Sequence, residues 1–296
     1  WRGRWDGLAL YHGTNFKMKT TGRCGGVVTI HDLWMVRHPE YSPKVFGQQA
    51  SSRRTQRTAW RARKVITPSE FSARELMELY GLPAERIAVI PGGVSSDFRP
   101  RRDPGAFDDL RQRIGLPEGP FVLFVGGADP RKNHQVLVQA VAQRSDELKD
   151  VPLVLVGDTR HRFGTMAETL VRCGITGGVI CPGRLPIRDL TLLYSHAEVF
   201  VFPSLYEGFG LPVIEAMACG APVITSNRAS LPEVAGDAAL VVDPDNAEAV
   251  GDALVQLLRD APLRESLRQK GFARAKQFTW ERAARQTLDV YRDVCR

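Results

Sequence analysis

Two glutamates, Glu207 and Glu215, stand eight positions apart around the turn Gly208-Phe209-Gly210-Leu211-Pro212. Ionised carboxylates are pure acceptors, so two of them suit a ligand offering two separate sets of hydroxyls. Arg131 and Lys132 lie in GGADPRKN, where a helical pattern begins. There the helix dipole and the side-chain charges both favour an anion.

The elements that must position these groups are read from apolar periodicity. FVLFV (121–125), PLVLV (152–156), GVI (178–180), VFVF (199–202), PVIT (222–225) and ALVV (239–242) are strand candidates. Helical patterns near 133–147, 165–173, 187–195, 212–219 and 246–259 alternate with them. Near-continuous apolar strands between helices predict an α/β fold with a parallel sheet covered on both faces. The loops GGADPRKN, GDTRHR, PGRLP and PSLYEGFGLP then fall at the carboxyl ends of strands, where open α/β sheets bind ligands. Pro212 is suited to the first turn of a helix that Gly220 ends, which puts Glu207 on the loop and Glu215 in the first turn. Gly208 and Gly210 let the backbone approach a ligand closely. Two acidic grips with a cationic grip between them fit a nucleotide sugar, with hydroxyls at both ends and a diphosphate in the middle.

Residues 1–99 read as a partial copy of this architecture. The strand candidates are GGVVTIHD (25–32), KVIT (64–67) and RIAVIPGGV (86–94). A helix opens at Ser69 or at Ser72, the latter with Glu75 completing a capping box. The Pro-, Arg- and Asp-rich stretch from Arg99 to Pro120 reads as a linker. Residues 100–278 form the second domain, and 279–296 an amphipathic helix that Thr279 caps.

EGFGLPVIEAMACGAPVI resembles the E-x7-E signature of retaining glycosyltransferases of the GT-B fold, family 4 or "glycosyl transferases group 1". LPEVAGDAALVVDPDN, GGADPRKN and FTWERAA follow the same family in the same order, with the PRKN run closest to its mannosyl- and rhamnosyltransferase-like members. The resemblance implies two Rossmann-like domains facing a cleft, the amino-terminal one incomplete and the carboxyl-terminal helix returning to it. It implies hexosyl transfer from a nucleotide-diphosphate sugar, GDP-mannose favoured, to a glycan or lipid-linked acceptor, with retention and without metal or cofactor. Glu207 would hold the donor sugar, Glu215 the ribose, and Arg131 and Lys132 the diphosphate beside Gly126 and Gly127. Phe209, Gly210 and Leu211 would close over sugar and phosphate, Arg184 and Leu185 would lie beside the base, and His31 near the transferred sugar. The alternative is a catalytically silent nucleotide-sugar-binding protein.

Composition bounds these readings. The chain of 296 residues carries a formal net charge of +7, and the basic excess falls in the first hundred residues. Arg53, Arg57 and Arg61, with Arg54, Arg63 and Lys64 nearby, make one stripe if helical. An anionic membrane surface, an anionic substrate and a solvated face all fit that stripe. Little aromatic interleaving argues against nucleic acid. Five cysteines (Cys24, Cys173, Cys181, Cys219, Cys295) without CxxC spacing read as reduced thiols of a cytoplasmic protein. No signal-peptide pattern and no apolar run of about 20 residues is read, so association with a membrane would be peripheral.

Overall fold

The structure is a computed structural model that describes residues 8–18, 25–41, 48–161, 164–175 and 177–296. Cys24 and the first seven residues, used in reading the thiols and the amino terminus, lie outside these. Contacts divide the chain into two units: Trp1–Gly93 with Glu207–Phe209 and Thr279–Arg296, and Val94–Tyr206 with Gly210–Phe278. The first division thus falls at 93/94, where the sequence reading places it at 99/100.

The first unit contains a four-stranded sheet of β1 (Leu10–Gly13), β2 (Gly25–Thr29), β3 (Lys64–Thr67) and β4 (Ile87–Val89). All pairs are parallel, in the order β1-β2-β3-β4. Successive residues of a strand face opposite sides. Val28 and Val65 pack with Ala59, Ala62, Leu76 and Tyr80 on one face, while Val27 and Ile66 pack with Ala283 and Val294 of the carboxyl-terminal helix (Trp280–Cys295) on the other. Thr279 caps that helix, accepting from Arg282 N at 3.1 Å. His12 on β1 is bonded through Nδ1 to Tyr291 Oη (2.6 Å) and through Nε2 to Thr29 Oγ1 (2.8 Å). That ring is a clip between strand and helix.

Of the two caps offered by the sequence, Ser69 is used: it accepts from Ser72 N, and the helix runs Glu70–Tyr80. Glu75 is therefore not a capping-box partner; its buried carboxylate takes Arg37 Nε at 2.7 Å. The basic stripe does lie on a helix, Gln48–Arg61, with Arg53, Arg54, Arg57 and Arg61 exposed and Ala59 buried against the core. Trp60 is held by Nε1 donating to Tyr80 O, with the Arg86 guanidinium 5.5 Å from its ring.

The second unit is built on six parallel strands: β5 (Val122–Val125), β6 (Leu153–Val156), β7 (Val179–Gly183), β8 (Val199–Phe202), β9 (Val223–Ser226) and β10 (Ala239–Val242). Their order is β10-β9-β8-β5-β6-β7. Central strands β6, β8 and β9 are buried at every position, which is why their sequences show no alternation; edge strands β7 and β10 are only partly buried. The supposed linker contains a helix, Pro104–Ile114, capped by the Asp103 side chain and ended by Gly115 in the left-handed region. Its Leu110 is buried, Phe107 stacks on His196 at 3.8 Å, and Arg113 pairs with buried Asp189 at 2.9 Å. Helices Leu231–Ala235 and Ala261–Ala275 likewise go beyond the sequence reading.

Ala229, in the turn after β9, has φ of +53°. A Cβ in that region costs roughly 1–2 kcal/mol, partly offset in a glycine by the greater freedom of its unfolded chain. Ala229→Gly is therefore expected to raise the thermal midpoint by about 1–3 °C, read by calorimetry. A lower midpoint would mean that the Ala229 methyl contributes packing worth more than the strain.

Candidate functional site

The order of the second sheet reverses direction at β5 and β8, which are neighbours although 70-odd residues apart (Val199 opposite Val122). From β5 the chain proceeds outward through β6 and β7, and from β8 through β9 and β10. Such a switch point opens a crevice beyond the carboxyl ends of the two strands. The loops that leave those ends are 126–133 and 203–210, which carry Arg131, Lys132 and Glu207.

The first loop is fixed by backbone contacts. Gly126 N donates to Val156 O and Ala128 N to Asp158 O, both at 2.8 Å. A Cβ at Gly126 would lie 2.9 Å from Phe124 Cζ, and one at Gly157, whose φ is +143°, would lie 2.3 Å from the Gly126 carbonyl. These glycines are demanded by close approach of protein to protein. Pro130–Lys132 then form a turn of 3-10 helix. Asp129, which the sequence reading passes over, orients it: Oδ1 accepts from Arg131 N (3.1 Å) and Oδ2 from Arg131 Nε (3.0 Å). The Lys132 ammonium stands 5.0 Å from the centre of the Phe202 ring, a cation-π distance.

The second loop is tied to the first. Leu205 N and Ser204 Oγ both donate to Arg131 O at 2.8 Å, and Ser226 Oγ donates to Ser204 O at 2.6 Å. Glu207 is buried, 7% exposed. Gly208 approaches backbone rather than a ligand: a Cβ there would lie 2.0 Å from His31 O. Ser72 Oγ is within 3.4 Å of His31 O and 3.3 Å of Gly208 O. Glu207–Phe209 thus belong by contact to the same unit as His31. His31 is exposed, and its Nε2 donates to Thr14 O at 3.1 Å. A carbonyl only accepts, so in the neutral ring the proton sits on Nε2 and Nδ1 is an acceptor. Asp32 caps the next turn, Oδ1 accepting from Trp34 N at 3.1 Å.

Gly210 has φ of +112° and starts the helix Leu211–Cys219, which Gly220 ends at φ of +87°. Glu215 is the fifth residue of that helix, one residue further in than the sequence reading places it. Tyr194 is fully buried and its hydroxyl donates to Glu215 Oε2 at 3.4 Å. Burial raises the Glu215 carboxyl to about 7, with the Tyr194 bond opposing the shift. The same burial, with the Glu215 charge nearby, pushes the Cys219 thiol up to about 12, so this cysteine is inert at neutral pH. Phe209 is buried and Leu211 is 39% exposed.

At the other flank Arg184 is largely exposed and pairs with Asp158 at 3.2 Å, and Leu185 is half-buried. The expectation that the chain has no DxD dyad is wrong at Asp243-Pro244-Asp245, and both of those carboxylates hold Arg228 (3.4 and 2.8 Å). Among the described residues no group of three or more His, Cys, Asp or Glu is arranged to hold a metal ion. Among them, too, no helix is long and apolar enough to cross a membrane.

Residues 106–274 match the family described as Glycosyl transferases group 1, and residues 7–98 match Glycosyltransferase Family 4. The O-antigen chain mannosyltransferase B of Escherichia coli is 37% identical over 284 residues, covering 96% of this chain and 74% of that protein. The D-inositol 3-phosphate glycosyltransferase of Acidothermus cellulolyticus is 34% identical over 245 residues, covering 79% of this chain and 54% of that one. Among solved structures, sucrose-phosphate synthase from Thermosynechococcus elongatus superposes with a TM-score of 0.79 at 27% identity, over 97% of this chain and 74% of that one. Anabaena Alr3699/HepE, solved with UDP-glucose, gives 0.78 at 23% identity over 92% and 73%; at that identity the likeness is one of fold.

Proposed function

The chain belongs to the glycosyl transferases group 1 family and has the GT-B fold, and from that premise we propose that it moves a hexosyl group from a nucleotide-diphosphate sugar to a glycan hydroxyl. One observation carries the reading: the cationic turn and the glutamate loop are joined at the sheet's switch point, Leu205 N and Ser204 Oγ both holding the Arg131 carbonyl. Mannose is the favoured sugar and GDP the favoured carrier, on the PRKN run and the likeness to a mannosyltransferase. The acceptor is taken to be a glycan on a growing cell-surface polysaccharide, presented from a lipid at the cytoplasmic membrane face. The exposed arginines of Gln48–Arg61 would meet its anionic headgroups.

Arg131 and Lys132 would grip the diphosphate, Glu215 the ribose, Glu207 the sugar hydroxyls, and His31 would stand toward the acceptor. Gly126, Gly127, Gly210 and Leu211 would contact the phosphates and sugar through their backbone, with Arg184 and Leu185 beside the base. In the step we favour, the bond from anomeric carbon to phosphate oxygen breaks and the acceptor oxygen bonds to that carbon from the same face. The acceptor proton passes to the leaving phosphate, so configuration is retained. Charge develops on the departing diphosphate, and fixed cations aimed there lower the barrier.

The raised Glu215 carboxyl gives this reading a pH signature. Its protonated form is favoured in the free fold, so that share of stability is present below the ordinary carboxylate range and is lost as pH rises through about 7. Ribose hydroxyls need the ionised acceptor, so binding has the opposite dependence. GDP affinity is expected to rise about tenfold from pH 6 to pH 8 through this group, and Glu215→Gln to remove that share of the rise. Isothermal calorimetry at the two pH values reads both. An unaltered pH dependence in Glu215→Gln would reject the ribose role.

A further inference from the structure

Asn133 sits where the turn Pro130–Lys132 enters the helix His134–Gln143, in the left-handed region at φ of +53°. An asparagine before a helix is ordinarily a capping residue. This one makes no side-chain cap. Its amide nitrogen instead donates outward twice, to Pro203 O at 3.2 Å and to Pro244 O at 2.8 Å. Pro203 opens the loop after β8, and Pro244 lies in the loop after β10. A single half-buried side chain therefore spans three of the loops at the carboxyl edge of the second sheet.

The two acceptors are backbone carbonyls of Pro203 and Pro244, residues that have no N–H of their own to donate in return. With its backbone in the left-handed region, the Asn133 side chain reaches both carbonyls. Asparagine is one of the few residues other than glycine that enters this region readily, and its amide supplies two donors. Glycine would keep the turn and lose both bonds.

We infer that Asn133 is a positioning residue of the diphosphate grip, holding the Arg131–Lys132 turn in register with the loops after β8 and β10. It touches no phosphate; it acts through the two cations. This rests on the donor-site reading above and adds to it the part that sets the geometry of the cations. A merely structural asparagine would lower the melting temperature and leave ligand affinity in the folded protein unchanged.

The test is calorimetric titration of GDP, UDP and guanosine, well below the melting temperature, into wild type, Asn133→Gly, Lys132→Ala and the double variant. Loss of two hydrogen bonds that hold the grip is expected to weaken diphosphate binding about tenfold, with guanosine affinity unchanged. The two substitutions are expected to be less than additive, because both act on one group. Hydrogen exchange at Leu205 N–H, which is bonded to Arg131 O, is expected to speed up in Asn133→Gly. If Asn133→Gly does not fold, Asn133→Ser, too short to reach either carbonyl, carries the same titrations. Wild-type binding with equal diphosphate affinity in the Asn133 variant, or full additivity with Lys132→Ala, overturns the inference alone. Wild type that binds neither diphosphate overturns the donor-site reading and the inference with it.

Discussion

Lys132→Ala is expected to lower kcat/KM for the sugar-nucleotide donor by roughly 30- to 150-fold, the loss of one charge-assisted contact worth about 2–3 kcal/mol. Lys132 is the last residue of a turn whose shape is imposed from several sides. Asp129 holds both the amide and the Nε of Arg131, and Ser204 and Leu205 hold its carbonyl. The ammonium, 5.0 Å from the Phe202 ring, stands over the end of β8. A cation so placed needs little reorganisation when a phosphate arrives, which is the condition for strong electrostatic help in a transition state. Both kcat and the affinity for free nucleoside diphosphate should fall, because the diphosphate is bound before the reaction and carries more charge during it. Lys132→Arg should recover part of the affinity. Steady-state kinetics equal to wild type would remove Lys132 from the site.

Glu207→Gln is expected to separate binding from turnover. Its carboxylate is assigned to sugar hydroxyls, so the affinity for nucleoside diphosphate should stay within about twofold while kcat falls at least about 100-fold, the scale of one key transition-state contact. The amide is nearly isosteric, which suits a residue only 7% exposed between tightly held neighbours. Gly208 beside it has no room even for a methyl group against the His31 carbonyl. The local backbone should therefore be unchanged, and the variant should melt close to wild type. Diphosphate affinity that fell along with turnover would place Glu207 on the nucleotide instead of the sugar.

How far the sequence could be read depends on what each segment is buried against. The strands of the second sheet stand out because both faces are covered: VFVF and LVLV have no polar position to confuse the pattern. β1 is harder to see. LYHG is an edge strand only partly buried, and its histidine is polar because it is clipped to Tyr291 and Thr29. The helix Pro104–Ile114 was hidden by its own start signal. Asp103-Pro104-Gly105 has the composition of a loop, yet Asp caps and Pro suits the first turn, and Leu110 and Phe107 suffice to seat one stripe.

At the site the types of residue were legible and their supports were not. Arg131, Lys132, Glu207 and Glu215 stand out by charge and spacing alone. That Glu215 is raised to about 7 follows from burial beside Tyr194, a residue on another helix that no spacing rule connects to it. Asp129 and Asn133 flank the two cations in the chain, and ordinary turn and cap preferences would account for both. Only the three-dimensional partners, Arg131 Nε for one and two distant proline carbonyls for the other, separate their work from that of a loop residue.

The most direct test of the whole account is release of nucleoside diphosphate from a panel of sugar nucleotides, GDP-mannose first, with and without a mannose-terminated lipid-linked acceptor. Turnover of at least one donor, accelerated by the acceptor, is expected, with product of the same anomeric configuration as the donor. Tight binding of a nucleoside diphosphate without turnover of any donor would contradict it and leave a silent binding protein on a transferase fold.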